Sequence, residues 1–282
     1  MRFLSALVYA LLMNVIPFVE VVATGRSPAV LVLLYWFETA LLVATGAVRI
    51  VAHRRATGKA GHYAAIGTTS DHHADAASTR RALADESAYL RSFLGITVVF
   101  TIAHGVFVVV LVFLARIAGP VSWADARAAL YYAILVQGAF LLWDLPRIAQ
   151  WSFAELSRNV GGVTLRVLVT QLGLIFGLAA VGLTGSPWGL VGTFVAMRAL
   201  CDACLAWLQG FVKQRDLPPG LARVLARTSR QSPASLEAEF DALKADGAAV
   251  EALLELPIGE ARRAAGPAVA SAPGLLRRGR RE

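Results

Sequence analysis

Residues 29–52 read AVLVLLYWFETALLVATGAVRIVA, a long apolar run that indicates the class of fold. At about 1.5 Å per residue, a helix of this length exceeds the hydrocarbon core of a bilayer, which is about 30 Å thick. Its charged residues are Glu38, about a third of the way along, and Arg49 near the end. The stretch therefore predicts a transmembrane helix with a carboxylate inside the membrane.

The composition of the whole chain has the same character. Hydrophobic residues make up 57% and charged residues 16%, with a mean hydropathy of +0.60, whereas soluble domains carry about 25% charged residues. We predict an all-α, polytopic helical membrane protein whose partner is the lipid bilayer. The net charge of +8 is better explained by arginines flanking membrane spans than by nucleic-acid binding, so we expect no nucleic-acid partner.

Six apolar stretches predict six transmembrane helices in a membrane domain of residues 1–212. The spacing Gly173-x-x-x-Gly177 in the fifth stretch predicts that a neighbouring helix approaches closely. A polar loop, residues 53–91, separates the second span from the third. The predicted spans are 3–23, 29–52, 92–118, 128–145, 163–183 and 188–211.

The distribution of basic residues orients these spans. The loop 53–91, the connection before the fifth span and the tail hold most of the arginines. The positive-inside rule places that side, and both termini, in the cytoplasm. Arg2 ahead of the first apolar stretch is also compatible with a cleaved signal peptide, although Asn14, Pro17 and Glu20 are unusual in one. Cleavage would not change the orientation of the other spans.

The tail, residues 213–282, differs in composition from the membrane domain. Ser232-Pro233 resembles a helix N-cap with a first-turn proline, so we predict a short helix ending near Gly247. A second short helix is predicted at 248–256, stopped by Pro257, and a disordered basic end follows. The arginines of that end are either solvated or in contact with anionic lipid, which contributes about 1 kcal/mol per basic residue.

Four polar residues are the candidate site. Helix geometry places Glu38 roughly 14 Å below the outer boundary, with Arg198 at a similar depth and His104 near the midplane. Asp202 follows Arg198 by four residues and shares its helix face. A lone charge at the helix centre costs about 2.5–3.5 kcal/mol, so these side chains should face inward. We predict an interhelical ion pair between Glu38 and Arg198.

Three functions are compatible with this cluster, and enzymatic activity is left open. Ionisable groups at membrane depth often line a pathway for protons or a small solute. An intramembrane enzyme acting on a lipid-like substrate would use His104 as base, Glu38 or Asp202 as second carboxylate, and Arg198 to stabilise an anion. In the third, the protein is a non-catalytic scaffold and the ion pair fixes which helices associate.

No cofactor or metal is expected. Glu38, His104 and Asp202 are a conceivable metal set, as is Asp71-His72-His73-x-Asp75 in the polar loop, but neither has the ligand spacing of a known metal motif. The sequence contains no P-loop, no dinucleotide-binding fingerprint, no H-E-x-x-H and no G-x-S-x-G.

The run Leu33-Leu34-Tyr35-Trp36-x-Glu38, preceded by Asn14-x-x-Pro17, resembles a family of bacterial and archaeal integral membrane proteins of unknown function. The resemblance extends over about residues 11–208, excludes the tail, and implies a helical membrane fold without assigning an activity. We expect the protein in the inner membrane of a bacterial or archaeal cell. It also implies lysine at position 198 and histidine at position 171, where this chain has Arg198 and Gln171. Its further matching residues are His104, Gly105 and Phe107 in the third span, Arg166 at the start of the fifth, and Arg198 with Asp202 in the last.

Overall fold

A computed structural model describes residues 16–64, 85, 87–114, 116–214 and 251–264, with residues 202–214 described by their backbone alone. Over these ranges the chain is all-α, as predicted, with one isolated antiparallel bridge between Lys59 and Pro257. The α-helices are α1 (Ile16–Ala23), α2 (Ala29–Thr57), α3 (Ala88–Val109), α4 (Trp123–Asp144), α5 (Phe153–Thr184), α6 (Pro187–Gln214) and α7 (Ile258–Ala264).

Four helices, taken with their 3-10 or π continuations, are long and apolar enough to cross a membrane: Ala29–Thr57, Ala88–Leu114, Trp123–Gln150 and Phe153–Thr184. Large apolar side chains such as Val99, Leu135 and Leu183 are exposed on the surfaces of α3, α4 and α5. Such surfaces suit contact with lipid tails. The chain is therefore a helical membrane protein. The count of six spans stays a prediction, since the first span and the second half of α6 are only partly described.

Capping residues explain where the long helices begin and end. The Ser152 hydroxyl accepts a hydrogen bond from the Glu155 amide, and the Glu155 carboxylate accepts one from the Ser152 amide. This capping box starts α5 at Phe153, ten residues before the predicted span at Val163, so the glycines 161 and 162 lie inside the helix rather than in a connection. Helix α2 continues to Thr57, where Gly58 adopts a left-handed conformation and ends it.

Helix α2 is the centre of the bundle and packs against α3, α4 and α5. Its first half is buried on almost every side, from Ala29 to Tyr35. A helix that is apolar all round is expected at such a position. Since α2 also carries Glu38, the carboxylate is held where the other spans surround it.

Helices α5 and α6 form the tightest contact, as Gly173-x-x-x-Gly177 predicts. A Cβ atom on Gly177 would lie 2.6 Å from Leu190 Cδ1 and 3.0 Å from the Leu190 carbonyl oxygen. A Cβ atom on Gly189 of α6 would likewise lie 3.1 Å from the carbonyl group of Ala180 on α5. This close approach fixes the register of the two helices and places Arg198 on the side of α6 that faces α2.

Candidate functional site

Glu38 and Arg198 form the predicted ion pair between α2 and α6. Arg198 Nη2 lies 2.7 Å from Glu38 Oε1 and Nη1 lies 2.5 Å from Oε2, which is a bidentate geometry. The side chain of Glu38 is 0% exposed and that of Arg198 is 5% exposed. A pair so far removed from water needs such geometry to offset the desolvation of both charges.

Aromatic rings enclose the arginine. Its guanidinium carbon lies 4.7 Å from the centroid of the Tyr35 ring, and that ring stacks on Phe194 at 5.1 Å with an interplanar angle of 13°. Cation–π contacts of this kind stabilise a desolvated arginine. The Tyr35 hydroxyl is buried and has no hydrogen-bond partner among the described residues. The tyrosine and the glutamate of the Tyr-Trp-x-Glu motif therefore both contact Arg198, one through its ring and the other through its carboxylate.

His104 lies beside this pair on α3. Its ring meets the Phe194 ring edge-on at 6.4 Å and is 1% exposed as a residue. The Gln171 side chain lies within hydrogen-bonding reach of the imidazole, and the Arg198 guanidinium is close enough to act on it electrostatically, although neither ring nitrogen meets a partner in ideal geometry. Gln171, which stands where the family resemblance implies histidine, thus faces His104.

Trp36 and Gly105 explain how α3 comes close enough to α2 to bring His104 to the ion pair. A Cβ atom on Gly105 would lie 2.9 Å from the Trp36 indole nitrogen, and that nitrogen donates to the Thr101 carbonyl at 3.4 Å. The His-Gly-x-Phe and Tyr-Trp-x-Glu motifs are therefore in contact.

Three of the four predicted site residues are thus brought together: Glu38, His104 and Arg198. The side chain of Asp202, and the whole Asp71-His72-His73-x-Asp75 segment, lie outside the described residues. A cleft beside Arg198 is lined by Arg166, Val169, Arg198 and Cys201 and has no room for a water molecule.

Among the described residues, no group of three or more His, Cys, Asp or Glu side chains has the geometry to hold a metal ion. Glu38 and His104 alone do not supply the three or four ligands that a catalytic or structural zinc site uses.

A second ion pair, between Arg49 and Asp144, was missed by the sequence reasoning. Arg49 Nε and Nη2 each lie 2.9 Å from Asp144 Oδ2, and Nη1 donates to the Thr45 hydroxyl at 3.3 Å. Arg49 and Glu38 both belong to α2, so this one helix pairs with α4 through Arg49 and with α6 through Glu38. The sequence does place Arg49 near the end of the second predicted span and Asp144 near the end of the fourth, at the same side of the membrane.

A model for a family of unknown function, DUF6498, matches residues 2–235. The chain belongs to this family. The match spans the six predicted transmembrane stretches and the cluster, and it ends before residues 251–264. No curated protein and no solved structure matches. Membership of DUF6498 confirms the expected uncharacterised family, and the function of this DUF6498 protein has to be argued from the cluster itself.

Proposed function

We propose that the protein is a proton or small-solute pathway in the cell membrane, with Glu38 as its proton-binding residue. The observation that carries this proposal is a buried ion pair with further polar side chains packed beside it: Tyr35, whose hydroxyl has no hydrogen-bond partner among the described residues, and His104, which faces Gln171. Buried polar groups are nearly always hydrogen-bonded, so a buried Tyr35 hydroxyl without a partner beside an ion pair supports a role beyond helix packing.

The chemistry of the pair suggests how such a pathway operates. While Glu38 is ionised, Arg198 holds it through two contacts. A proton on Glu38 removes the negative charge and weakens both contacts, which frees the arginine to attract an anion or to move. His104 is the adjacent group that can accept and return a proton. Protonation of one member would thereby change the packing between α2 and α6.

Two features of the proposal rest on the sequence. The excess of basic residues on one side supports an orientation with both termini in the cytoplasm. The family resemblance supports the inner membrane of a bacterial or archaeal cell. Asp202, one helical turn after Arg198, is included as a second carboxylate of the pathway.

The tight packing of the cluster favours a second candidate, a structural scaffold. A cleft beside Arg198 that excludes water suits an ion pair that only selects helix partners. The enzyme alternative gains no comparable support, because the cleft beside Arg198 has no room for a lipid-like substrate. The experiment must therefore separate transport from scaffolding.

We expect Glu38→Gln to abolish proton flux. Glutamine keeps the size of the side chain and loses the titratable carboxyl group. The full-length protein is reconstituted into vesicles containing a pH-sensitive dye, and a potassium diffusion potential drives protons inward. Wild-type vesicles should acidify, and Glu38→Gln vesicles should match empty ones.

Glu20→Gln is the matched control, because Glu20 is exposed and pairs with Arg26 at 2.7 Å outside the cluster. Its flux should equal that of the wild type. Equal flux from the wild type, Glu38→Gln and empty vesicles would overturn the pathway proposal and leave the scaffold.

A further inference from the structure

Residues 251–264, here called the C-terminal segment, dock on the end of the bundle where α2 stops. The Ala60 amide donates to the Leu256 carbonyl at 2.8 Å, and the Ile258 amide donates to the Gly58 carbonyl at 3.1 Å. Ala261 is fully buried against Ala60. The segment therefore pairs with the turn of residues 58–63 through both backbone and side chains.

Glu255 anchors this segment to two elements. One carboxylate oxygen, Oε2, lies 2.6 Å from Lys59 Nζ, and the other accepts from the Ala154 amide at 3.0 Å, in the first turn of α5. A carboxylate is favoured at a helix N-terminus because the unpaired amides and the helix dipole are positive there. Burial alone would raise the pKa of Glu255, but the hydrogen bonds from Lys59, Ala154 and Phe153 lower it below its ordinary value.

Two histidines lie under the docked turn, and their hydrogen bonds fix their tautomers. His53 Nε2 lies 3.0 Å from the Trp151 carbonyl oxygen, and His53 Nδ1 lies 2.7 Å from His62 Nε2. A carbonyl only accepts, so His53 carries its proton on Nε2. In the neutral pair His62 must then donate from Nε2 to His53 Nδ1. This leaves His62 Nδ1 as a bare acceptor, buried and without a partner among the described residues.

The groups around this histidine pair do not stabilise an added proton. Lys59 Nζ donates to the same Trp151 carbonyl at 3.1 Å, and Glu255, the facing carboxylate, is already bonded to Lys59 and to the α5 amides. Aromatic edges of Tyr89 and Phe153 cover the His62 ring. Among the described residues, the titratable groups around the pair are Arg54 from α2, Lys59 from the turn, Tyr89 from α3 and Glu255 from the C-terminal segment.

We propose that the C-terminal segment is a releasable cap on this end of the bundle, and that proton uptake by the His53–His62 pair releases it. A protonated imidazole needs water or an anion as partner, and reaching either requires the turn of residues 60–63 to open. That turn carries His62 and also the Ala60 contacts to Leu256 and Ala261. If the turn opens to hydrate the protonated His62, the contacts of Ala60 with Leu256 and Ala261 are broken as well.

The direction of the pH dependence follows from the docked geometry. Burial lowers the pKa of His62 to about 3, helped by repulsion between the two imidazoles if both are charged and by the positive charges of Arg54 and Lys59. The released form, with an ordinary pKa of about 6.5, binds protons more readily. Docking is therefore fully stable above about pH 6.5 and weakens as the pH falls from there toward 3. One such group lowers the docking equilibrium constant about tenfold between pH 7.5 and 5.5.

The test is hydrogen exchange of the full-length protein in lipid nanodiscs at pH 7.5 and 5.5, with rates corrected for the intrinsic pH dependence of amide exchange. Peptides covering residues 58–62 and 251–264 should lose about tenfold in protection at the lower pH. Unchanged protection of these peptides in the wild type would overturn the proposal.

Three variants test which residues cause the pH dependence of protection. His62→Phe keeps an aromatic ring against Tyr89 and Phe153 but cannot titrate, so the pH dependence should disappear. A pH dependence that persists in this variant would contradict the role of the histidine pair. Glu20→Gln, a control at an exposed carboxylate that pairs with Arg26 away from this segment, should keep it. Glu255→Gln should lose protection of residues 251–264 already at pH 7.5, and wild-type protection in this variant would contradict the docking role of Glu255. Because Glu255→Gln leaves both histidines intact, it also tests the cap if His62→Phe does not fold.

Discussion

Replacing Arg198 by methionine is expected to destabilise the protein by about 3–5 kcal/mol, because the ionised Glu38 would remain buried without its partner. Methionine fills most of the volume of the arginine stem, so lost packing contributes little to this effect. The free energy of unfolding in mixed micelles of increasing denaturing detergent measures it. Glu38→Met is expected to cost a similar amount, since it leaves a buried guanidinium.

The double variant Glu38→Met/Arg198→Met distinguishes a paired charge from two independent contributions. When both charges are removed together, neither is left uncompensated, so the loss should be far smaller than the sum of the single losses. The exposed pair Glu20–Arg26, with side chains 51% and 41% exposed, is the control and should show a coupling below about 1 kcal/mol. Additive losses at Glu38 and Arg198 would show that the two residues do not depend on each other.

Gly177→Leu is expected to cost about 1–3 kcal/mol by forcing α5 away from α6. Even a Cβ atom at this position would overlap Leu190, and its nearest backbone neighbour, the Leu190 carbonyl oxygen, cannot rotate away. The same unfolding measurement applies. Since Arg198 belongs to α6, the shift should also weaken the pair with Glu38.

Gly182→Leu is the control for this prediction. Gly182 belongs to the same helix and has open space where its Cβ would be, so leucine there should be neutral or slightly stabilising through its better helix propensity. An equal loss from both variants would attribute the effect to the general introduction of leucine rather than to contact with Leu190.

The long-range pair Glu38–Arg198 could be predicted because the membrane leaves few alternatives. A carboxylate near the midplane must face another helix, and the arginine at a matching depth was the available cation. The close α5–α6 contact followed likewise from two glycines one turn apart. In both cases a local feature of the sequence, a buried charge or a pair of spaced glycines, was enough to predict a contact between helices.

The start of α5 and the Arg49–Asp144 pair were less accessible. The Ser152-x-x-Glu155 signature was present in the sequence, but the polar residues after it suggested a connection, and the capping bonds outweighed that composition. The sequence places Arg49 in the charged flank of its span, whereas its guanidinium reaches Asp144 on α4. Which flanking charges pair depends on helix rotation, which hydropathy does not specify.

The membrane class, the helical fold, the charge inside α2 and the cation that pairs with it could all be predicted, because exposing polar groups to lipid has a large free-energy cost that depends on local composition. The side chains that surround Glu38 and Arg198 depend instead on how the helices pack. The sequence predicted a helix stopping at Pro257 and a disordered end beyond it, whereas Ile258–Ala264 is helical and Ala261 is buried. Likewise, His53 and His62 became a hydrogen-bonded pair only when the turn after Gly58 folded back. These contacts depend on packing, backbone pairing and the folding back of a turn, and no local pattern encodes them.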